Sequence, residues 1–214
     1  MRRYLFKFRR AFVAKGRDSG MPAAEQWETF FQPDGILEAL GCGRMSGDVA
    51  EFGCGYGTFT IAAARRVSGI VYATDIDPLM VSATKARASQ AGLRNVVAEQ
   101  RDFMSEGCGR PDASMSYVML FNIMHIEDPV SLLREAFKVV RVGGIVGVIH
   151  WRHDIETPRG PPLEIRPQPA QCRAWAEEAG LQWLMSPNLP GSPWHWGTMF
   201  ERPRRGTSTT QSGD

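Results

Sequence analysis

The sequence predicts an α/β fold, a doubly wound and mostly parallel sheet with helices on both faces. Three observations predict it. Strand-sized apolar runs alternate with longer helical patterns from Gly47 to His150, and the two periodicities are distinct. Glycine, proline or an acid marks nearly every change of element, as turns and helix caps require. Repeated strand–helix–strand units pack as parallel strands joined by right-handed crossovers, which places helices on both sides. A chain of 214 residues, 43% apolar and 22% charged, suits one domain with one sizeable core.

Residues 1–20 read as a basic extension, 21–203 as the domain, and 204–214 as a small polar tail expected to be disordered. The extension sets Tyr4, Leu5, Phe8 and Phe12 at roughly helical spacing among arginines and lysines. It admits three readings: an amphipathic surface helix, an organellar transit peptide, or an upstream stretch without function. The last is preferred, because a well-formed helix pattern starts directly after Met21.

That pattern runs from Ala23 to Leu40. Trp27, Phe30 and Phe31 form an aromatic stripe, continued past Pro33 by Ile36, Leu37 and Leu40. Core packing is expected of the stripe, with Trp27 or Phe31 as an alternative lid over a ligand. Asp48–Phe52 reads as the first strand, followed by a glycine turn and a helix through Arg66. Ile70–Thr74 is the second strand, and Asp77-Pro78 opens a helix ending near Gly92, with Pro78 in the first turn, where no N–H is needed. Asn95–Glu99 and Ala113–Phe121 are the third and fourth strands. Pro129–Val140 is a helix stopped by Gly143-Gly144, and Ile145–His150 is the fifth strand. Five prolines in 151–169 exclude a helix or a central strand there. A helix over Ala170–Ala179 and strands over Leu181–Met185 and Trp194–Glu201 complete the domain.

Charge and cysteines narrow the function. The formal net charge of +2 conceals +6 in residues 1–20, which leaves −4 for the remainder. A mildly acidic domain offers no nucleic-acid surface. No apolar run reaches the ~18 residues of a membrane span. Cys42, Cys54, Cys108 and Cys172 are scattered, with no C-x-x-C pair, so no metal site is expected. Few cysteines and no apolar leader core suggest a reducing cytoplasm. Oligomeric state is not legible.

The turn after the first strand reads Glu51-Phe-Gly-Cys-Gly-Tyr-Gly-Thr58. A strand entering a helix through Gly53, Gly55 and Gly57 brings backbone close to a ligand and aims free N–H groups at it. Dinucleotide sites use G-x-G-x-x-G; here the third glycine comes one residue early. Glu51, two residues before the first glycine, suits a positive group such as the amino group of a methionine moiety, and suits a pyrophosphate poorly. Asp75 ends the second strand, where an acid can accept both hydroxyls of a ribose. Asp77 is expected to cap the following helix. Asp102 follows the third strand and can accept from an adenine amino group, with Ile76 and Phe103 on either side of the ring. Singly each acid reads as a solvated loop residue; three at the carboxyl ends of successive strands point to a site.

EFGCGYGTFT, VYATDID, QRDFM, DASMSYVMLFNIMHI and LLREAFKVVRVGGIVGVIHW, taken in order, resemble the motifs of class I S-adenosylmethionine (SAM)-dependent methyltransferases, in their small-molecule branch. The resemblance covers about residues 25 to 201. It implies a Rossmann-like seven-stranded sheet with an antiparallel last strand, and SAM as cofactor. It further implies that Glu51, Gly53, Cys54, Gly55, Gly57, Asp75, Ile76, Asp102, Phe103, Phe121 and Asn122 form the cofactor site. Asp112 matches an acid of the family's fourth motif, and Val142 replaces a usual proline. The implied function is methyl transfer to an unidentified small molecule. A non-catalytic SAM-binding scaffold and a nicotinamide-dependent oxidoreductase are the alternatives.

Methyl transfer from a sulfonium needs position and a dry site first, and a base only where the nucleophile must lose a proton. His125, after the fourth strand, and His150, ending the fifth, are the catalytic candidates. His153 is a further candidate, and His195 is expected to pack. The loop 151–169 is the candidate specificity element. Its arginines could grip an anionic group or pair with the loop's own carboxylates.

Overall fold

The structure is a computed structural model that describes residues 22–44 and 46–204. The expectations for the basic extension and for the tail beyond Arg204 fall outside the described residues.

Among the described residues seven strands form one sheet. They are β1 (Asp48–Phe52), β2 (Val71–Asp75), β3 (Val96–Gln100), β4 (Met115–Phe121), β5 (Val140–Trp151), β6 (Gln182–Met185) and β7 (His195–Glu201). Their order is β3-β2-β1-β4-β5-β7-β6. Strands β1 to β5 pair in parallel, and β7 runs antiparallel to β5 and β6. The helices are α1 (Ala24–Glu28), α2 (Pro33–Ala39), α3 (Thr58–Arg66), α4 (Pro78–Gln90), α5 (Phe103–Glu106), α6 (Pro129–Val139) and α7 (Pro169–Glu178).

Alternate residues of the central strands enter opposite cores, as a period of two requires. Val49, Tyr117, Met119 and Ile149 pack with Ile36, Leu37 and Phe59 on one face. Ala50, Val118, Leu120 and Val148 pack with Leu132, Leu133, Ala136 and Cys172 on the other. This two-sided burial is why these strands read as continuous apolar runs.

Four local readings are corrected. The pattern from Ala23 to Leu40 is two helices, α1 and α2, separated around Thr29–Gln32. Pro33 has no N–H to continue the first helix and disfavours helical backbone before it, so it starts a new helix instead. Helix α6 ends at Val139, not at the glycine pair, and β5 begins at Val140. The β-branched run favours extended backbone, while Arg202 Nη1 donates to the carbonyls of Phe137, Lys138 and Val140 and caps the helix end. Gly143 (φ 73°) then sits in a bulge, where Met115 pairs with Val140 and Tyr117 with Ile145. A short helix, α5, was missed after β3; Asp102 caps it by accepting from Met104 N at 3.1 Å. The proline-rich loop contains a 3-10 turn, Leu163–Ile165.

Gly147 of β5 marks the tightest point between neighbouring strands. A methyl group placed there would lie 2.0 Å from the Tyr117 hydroxyl, which donates to Leu40 O at 2.9 Å in the buried core. Gly147→Ala must displace that ring and break the bond, so the variant should lose about 3 kcal/mol of stability, measured by urea unfolding. An unchanged midpoint would contradict this packing.

Candidate active site

Strand order reverses between β1 and β4, and in open α/β sheets the crevice beyond the strand ends at such a point is where ligands sit. A cavity of about 720 Å³ opens there. Glu51, Gly53, Cys54, Gly55, Asp75, Ile76, Asp102, Phe103, Phe121 and Asn122 all line it, as does His125. Two of the expected residues stand elsewhere. Gly57 does not border the cavity; a side chain there would meet Thr84 Oγ1 at 2.8 Å, so its lack of Cβ serves the approach of α3 to α4. His150 is fully buried behind His125.

The glycine turn is built as its composition demands. Gly53 (φ 78°) and Gly55 (φ 53°) are left-handed, a region other residues enter at a cost. Gly53 N and Cys54 N donate to Thr74 O at 2.8 and 3.0 Å, which locks the turn to β2. Asp75 makes the second tie: its Oδ2 accepts from Gly55 N at 2.9 Å and its Oδ1 from Asp77 N at 2.9 Å. Each carboxylate oxygen has two lone pairs, so a carboxylate oriented this way can also accept a vicinal diol. Asp77 caps α4 by accepting from Leu79 N at 2.9 Å, as expected. Phe103 stacks on Phe52 with ring centroids 5.3 Å apart, which fixes its face at the cavity wall.

Glu51 lies at the cavity's inner end, 2% exposed. Thr60 Oγ1 donates to it. Burial raises its pKa to about 8 against the lowering effect of that bond, and Asp75 adds to the rise. A carboxyl so placed is protonated at neutral pH until a positive charge arrives beside it.

Two polar side chains, Asn122 of the expected set and Thr58, which the sequence analysis did not assign to the site, line the same space. Thr58 Oγ1 and both amide atoms of Asn122 are buried with no hydrogen-bond partner among the described residues, and both residues line the cavity. Asn122 is also one of two left-handed non-glycine residues described, at φ 59°. Unpartnered buried groups cost about 1–3 kcal/mol each, and strained backbone collects where function holds it. The signal available for Thr58 was its place as the first residue of the helix after the turn.

The cavity also has aromatic walls. Trp27, Tyr56, Phe59, Phe121 and Trp151 border it, so of the two lid candidates Trp27 reaches the cavity while Phe31 packs in the core. His125 Nδ1 and His150 Nε2 are 3.1 Å apart, and His150 Nδ1 is 3.2 Å from Trp151 O. His195 is buried, against Trp151 at 4.1 Å and Ser192 at 2.8 Å; it packs, as expected. His153 does not line the cavity.

The arginines of loop 151–169 divide their roles. Arg152 pairs with Asp154 through two bonds of 3.0 and 2.7 Å. Arg166 is buried and donates to the carbonyls of Pro161, Arg152 and Arg159, so it pins the loop through backbone rather than through a carboxylate. Arg159 lines the cavity. The four cysteines are buried and free, and no cluster of metal-ligating side chains occurs among the described residues.

The fold is one shared with solved SAM-dependent methyltransferases. Residues 49–144 match the family described as "Methyltransferase domain". The chain is 35% identical over 97 residues to a ribosomal protein L11 methyltransferase of Dechloromonas aromatica, a match covering 45% of this chain and 29% of that protein. It is 31% identical over 99 residues to an aklanonic acid methyltransferase of a Streptomyces species, covering 45% and 44%. The chain thus spans less than half the length of either relative. A SAM-dependent methyltransferase from Aquifex aeolicus shares the fold with a TM-score of 0.70 at 21% identity, covering 80% of this chain and 90% of that one.

The residues fit SAM. Glu51 can face its cationic amino end, Asp75 its ribose, and Ile76, Asp102 and Phe103 its adenine; Thr58 and Asn122 supply polar atoms in between. The buried acid gives a pH prediction. Because the folded state holds Glu51 protonated up to about pH 8 while the unfolded chain releases that proton near pH 4–5, stability contributed by Glu51 should fall as pH rises across about 5 to 8. Urea unfolding of the unliganded protein should show this decline, and Glu51→Gln should remove it. An identical pH dependence in both proteins would contradict the burial of an acid there.

Proposed function

We propose that this protein transfers the methyl group of SAM to a small molecule bound against the aromatic walls of the cavity. The observation that carries this is the convergence of Glu51, the left-handed Gly53–Gly55 turn and Asp75 on one crevice. When bound, SAM supplies a methyl group already activated by its sulfonium. The protein's residues do the rest: Glu51 holds the amino end, Asp75 fixes the ribose, and the aromatic walls exclude water. Catalysis by such a site is mainly positioning in a dry environment.

A small acceptor is favoured over a protein by the shape of the site. The one relative's name specifies a ribosomal protein and the other's a small acid. Here the cavity has aromatic side chains in its walls, which suits a compact ligand. The acidic lining, with Asp75, Asp77 and Asp102, speaks against a nicotinamide dinucleotide and its pyrophosphate. A SAM-binding scaffold would share the cofactor end and lack turnover. No helix among the described residues is long and apolar enough to cross a membrane, and the four free, buried cysteines support a reducing compartment such as the cytoplasm.

S-adenosylhomocysteine (SAH) titrated by calorimetry should bind the wild type in the micromolar range. Asp75→Ala removes two charge-assisted acceptors and should weaken binding roughly 100-fold. Turnover of methyl-labelled SAM in the presence of a metabolite extract separates the enzyme from a scaffold. Absence of SAH binding by the wild type would end the proposal.

A further inference from the structure

A single basic side chain stands in a cavity rich in acids. Among the described residues that border it, Arg159 is the only arginine or lysine. The other two arginines of the loop after β5 are engaged: Arg152 with Asp154, and Arg166 with loop carbonyls. Among the described residues no carboxylate or carbonyl takes the guanidinium of Arg159. Four of the bordering acids, by contrast, have work within the fold. Asp75 and Asp77 hold the turn and the start of α4, while Asp102 and Asp128 cap α5 and α6 by accepting from Met104 N and Ser131 N. The backbone that carries Arg159 is held in place. Its carbonyl accepts from Thr157 Oγ1 and from Arg166 Nη2. Gly160, the next residue, has φ 111° and lies so close on Trp151 that a Cβ would come within 2.7 Å of that ring. A side chain with no internal partner, on a pinned loop at the cavity wall, meets a ligand with little ordering left to do.

On the reading that the cavity holds SAM, we propose that Arg159 selects the acceptor, and that the acceptor is a small acid gripped by its carboxylate and methylated at another atom. A guanidinium is a planar fork that fits both oxygens of a carboxylate. The apolar body of such a molecule meets Trp27, Phe59 and Trp151 in the same walls. The carboxylate is the handle and not the nucleophile. An attacking carboxylate loses charge as its bond to carbon forms, so an arginine paired with it stabilises the reactants more than the transition state and slows the step. An arginine on a remote acid holds equally well before and during transfer, and it orients the reacting atom. In the step, a lone pair of that atom forms the bond to the methyl carbon as the carbon–sulfur bond breaks, and the electron pair of the broken bond stays on sulfur. Where the acceptor atom bears a proton, that proton leaves to water. The products are SAH and a methylated acid that is still an anion at its carboxylate.

The test compares acids with their own amides, which share a shape and differ in charge. Benzoate, phenylacetate and 2-naphthoate, and the matching benzamide, phenylacetamide and 2-naphthamide, are titrated by calorimetry into SAH-loaded protein. In the wild type at least one acid should bind roughly tenfold or more tighter than its amide, and added salt should narrow that gap because Arg159 is exposed. Arg159→Ala should abolish the preference and leave the affinities for the amide and for SAH within about twofold. Arg159→Lys, which keeps the charge and loses the fork, should fall between the two. No preference in the wild type, or an undiminished preference in Arg159→Ala, overturns the proposal. A matching loss of SAH affinity in Arg159→Ala overturns it as well, since the arginine then holds the carboxylate of the cofactor. With methyl-labelled SAM and a metabolite extract, the labelled product should be retained by an anion exchanger and survive mild alkali, which hydrolyses methyl esters. Label in an uncharged product, or released by alkali as methanol, overturns the role of the acid as a handle. Failure of SAH to bind the wild type would instead sink the cofactor reading. SAH binding without any labelled product would sink turnover, and the acid–amide comparison would still decide Arg159.

Discussion

The pair of bonds that Asp75 makes to Gly55 N and Asp77 N is the constraint on which the site depends. One carboxylate at the end of β2 holds the turn after β1 on one side and the approach to α4 on the other. It can do so only because Gly55 is left-handed and directs its N–H sideways out of the turn. The parallel register of β1 with β2, Glu51 opposite Ala73 and Phe52 opposite Thr74, sets the distance across which that bond must reach. Sheet, turn and binding edge are thus one mechanical unit, and the ligand-facing groups sit on rigid strand ends rather than on mobile loops.

Electrostatics divides the cavity into two regions with different work. The inner region holds a buried carboxyl whose charge is suppressed by its surroundings. Such a group discriminates by charge: a cation beside it restores the carboxylate and recovers part of the desolvation cost, while a neutral or anionic visitor gains nothing. Aromatic side chains and His125 also line the cavity, and His150 behind His125 is kept neutral by burial. Arg166 extends the rigidity of the strand ends to the loop after β5 by satisfying three loop carbonyls at once.

Much of this was legible in the sequence because it rests on short-range rules. The strands β1 to β4, and the second half of β5, were legible within a residue or two, since burial on both faces makes them apolar runs bounded by turn residues. The acids at their ends follow from the same boundaries. What escaped depended on tertiary contacts. The split of the first helix was set by Pro33, which the apolar stripe on both sides of it masked. The end of α6 was decided by Arg202, more than sixty residues away. Gly57 looked like the other two glycines of its turn and instead serves the contact with Thr84. His150 was identified as a candidate from its place at a strand end, but that it stands behind His125 is a matter of how β5 sits beside the connection after β4. Trp151 and Tyr56 carried no periodic signal that would have separated them from core residues.

A crystal structure of the protein with SAH bound is the most direct measurement. The expected result places the ligand's amino group within hydrogen-bond distance of the Glu51 carboxylate and its ribose hydroxyls on Asp75, with the sulfur directed toward the aromatic walls and His125. A ligand found outside the crevice between β1 and β4, or bound there with Glu51 and Asp75 making no contact to it, would contradict the assignment of that edge.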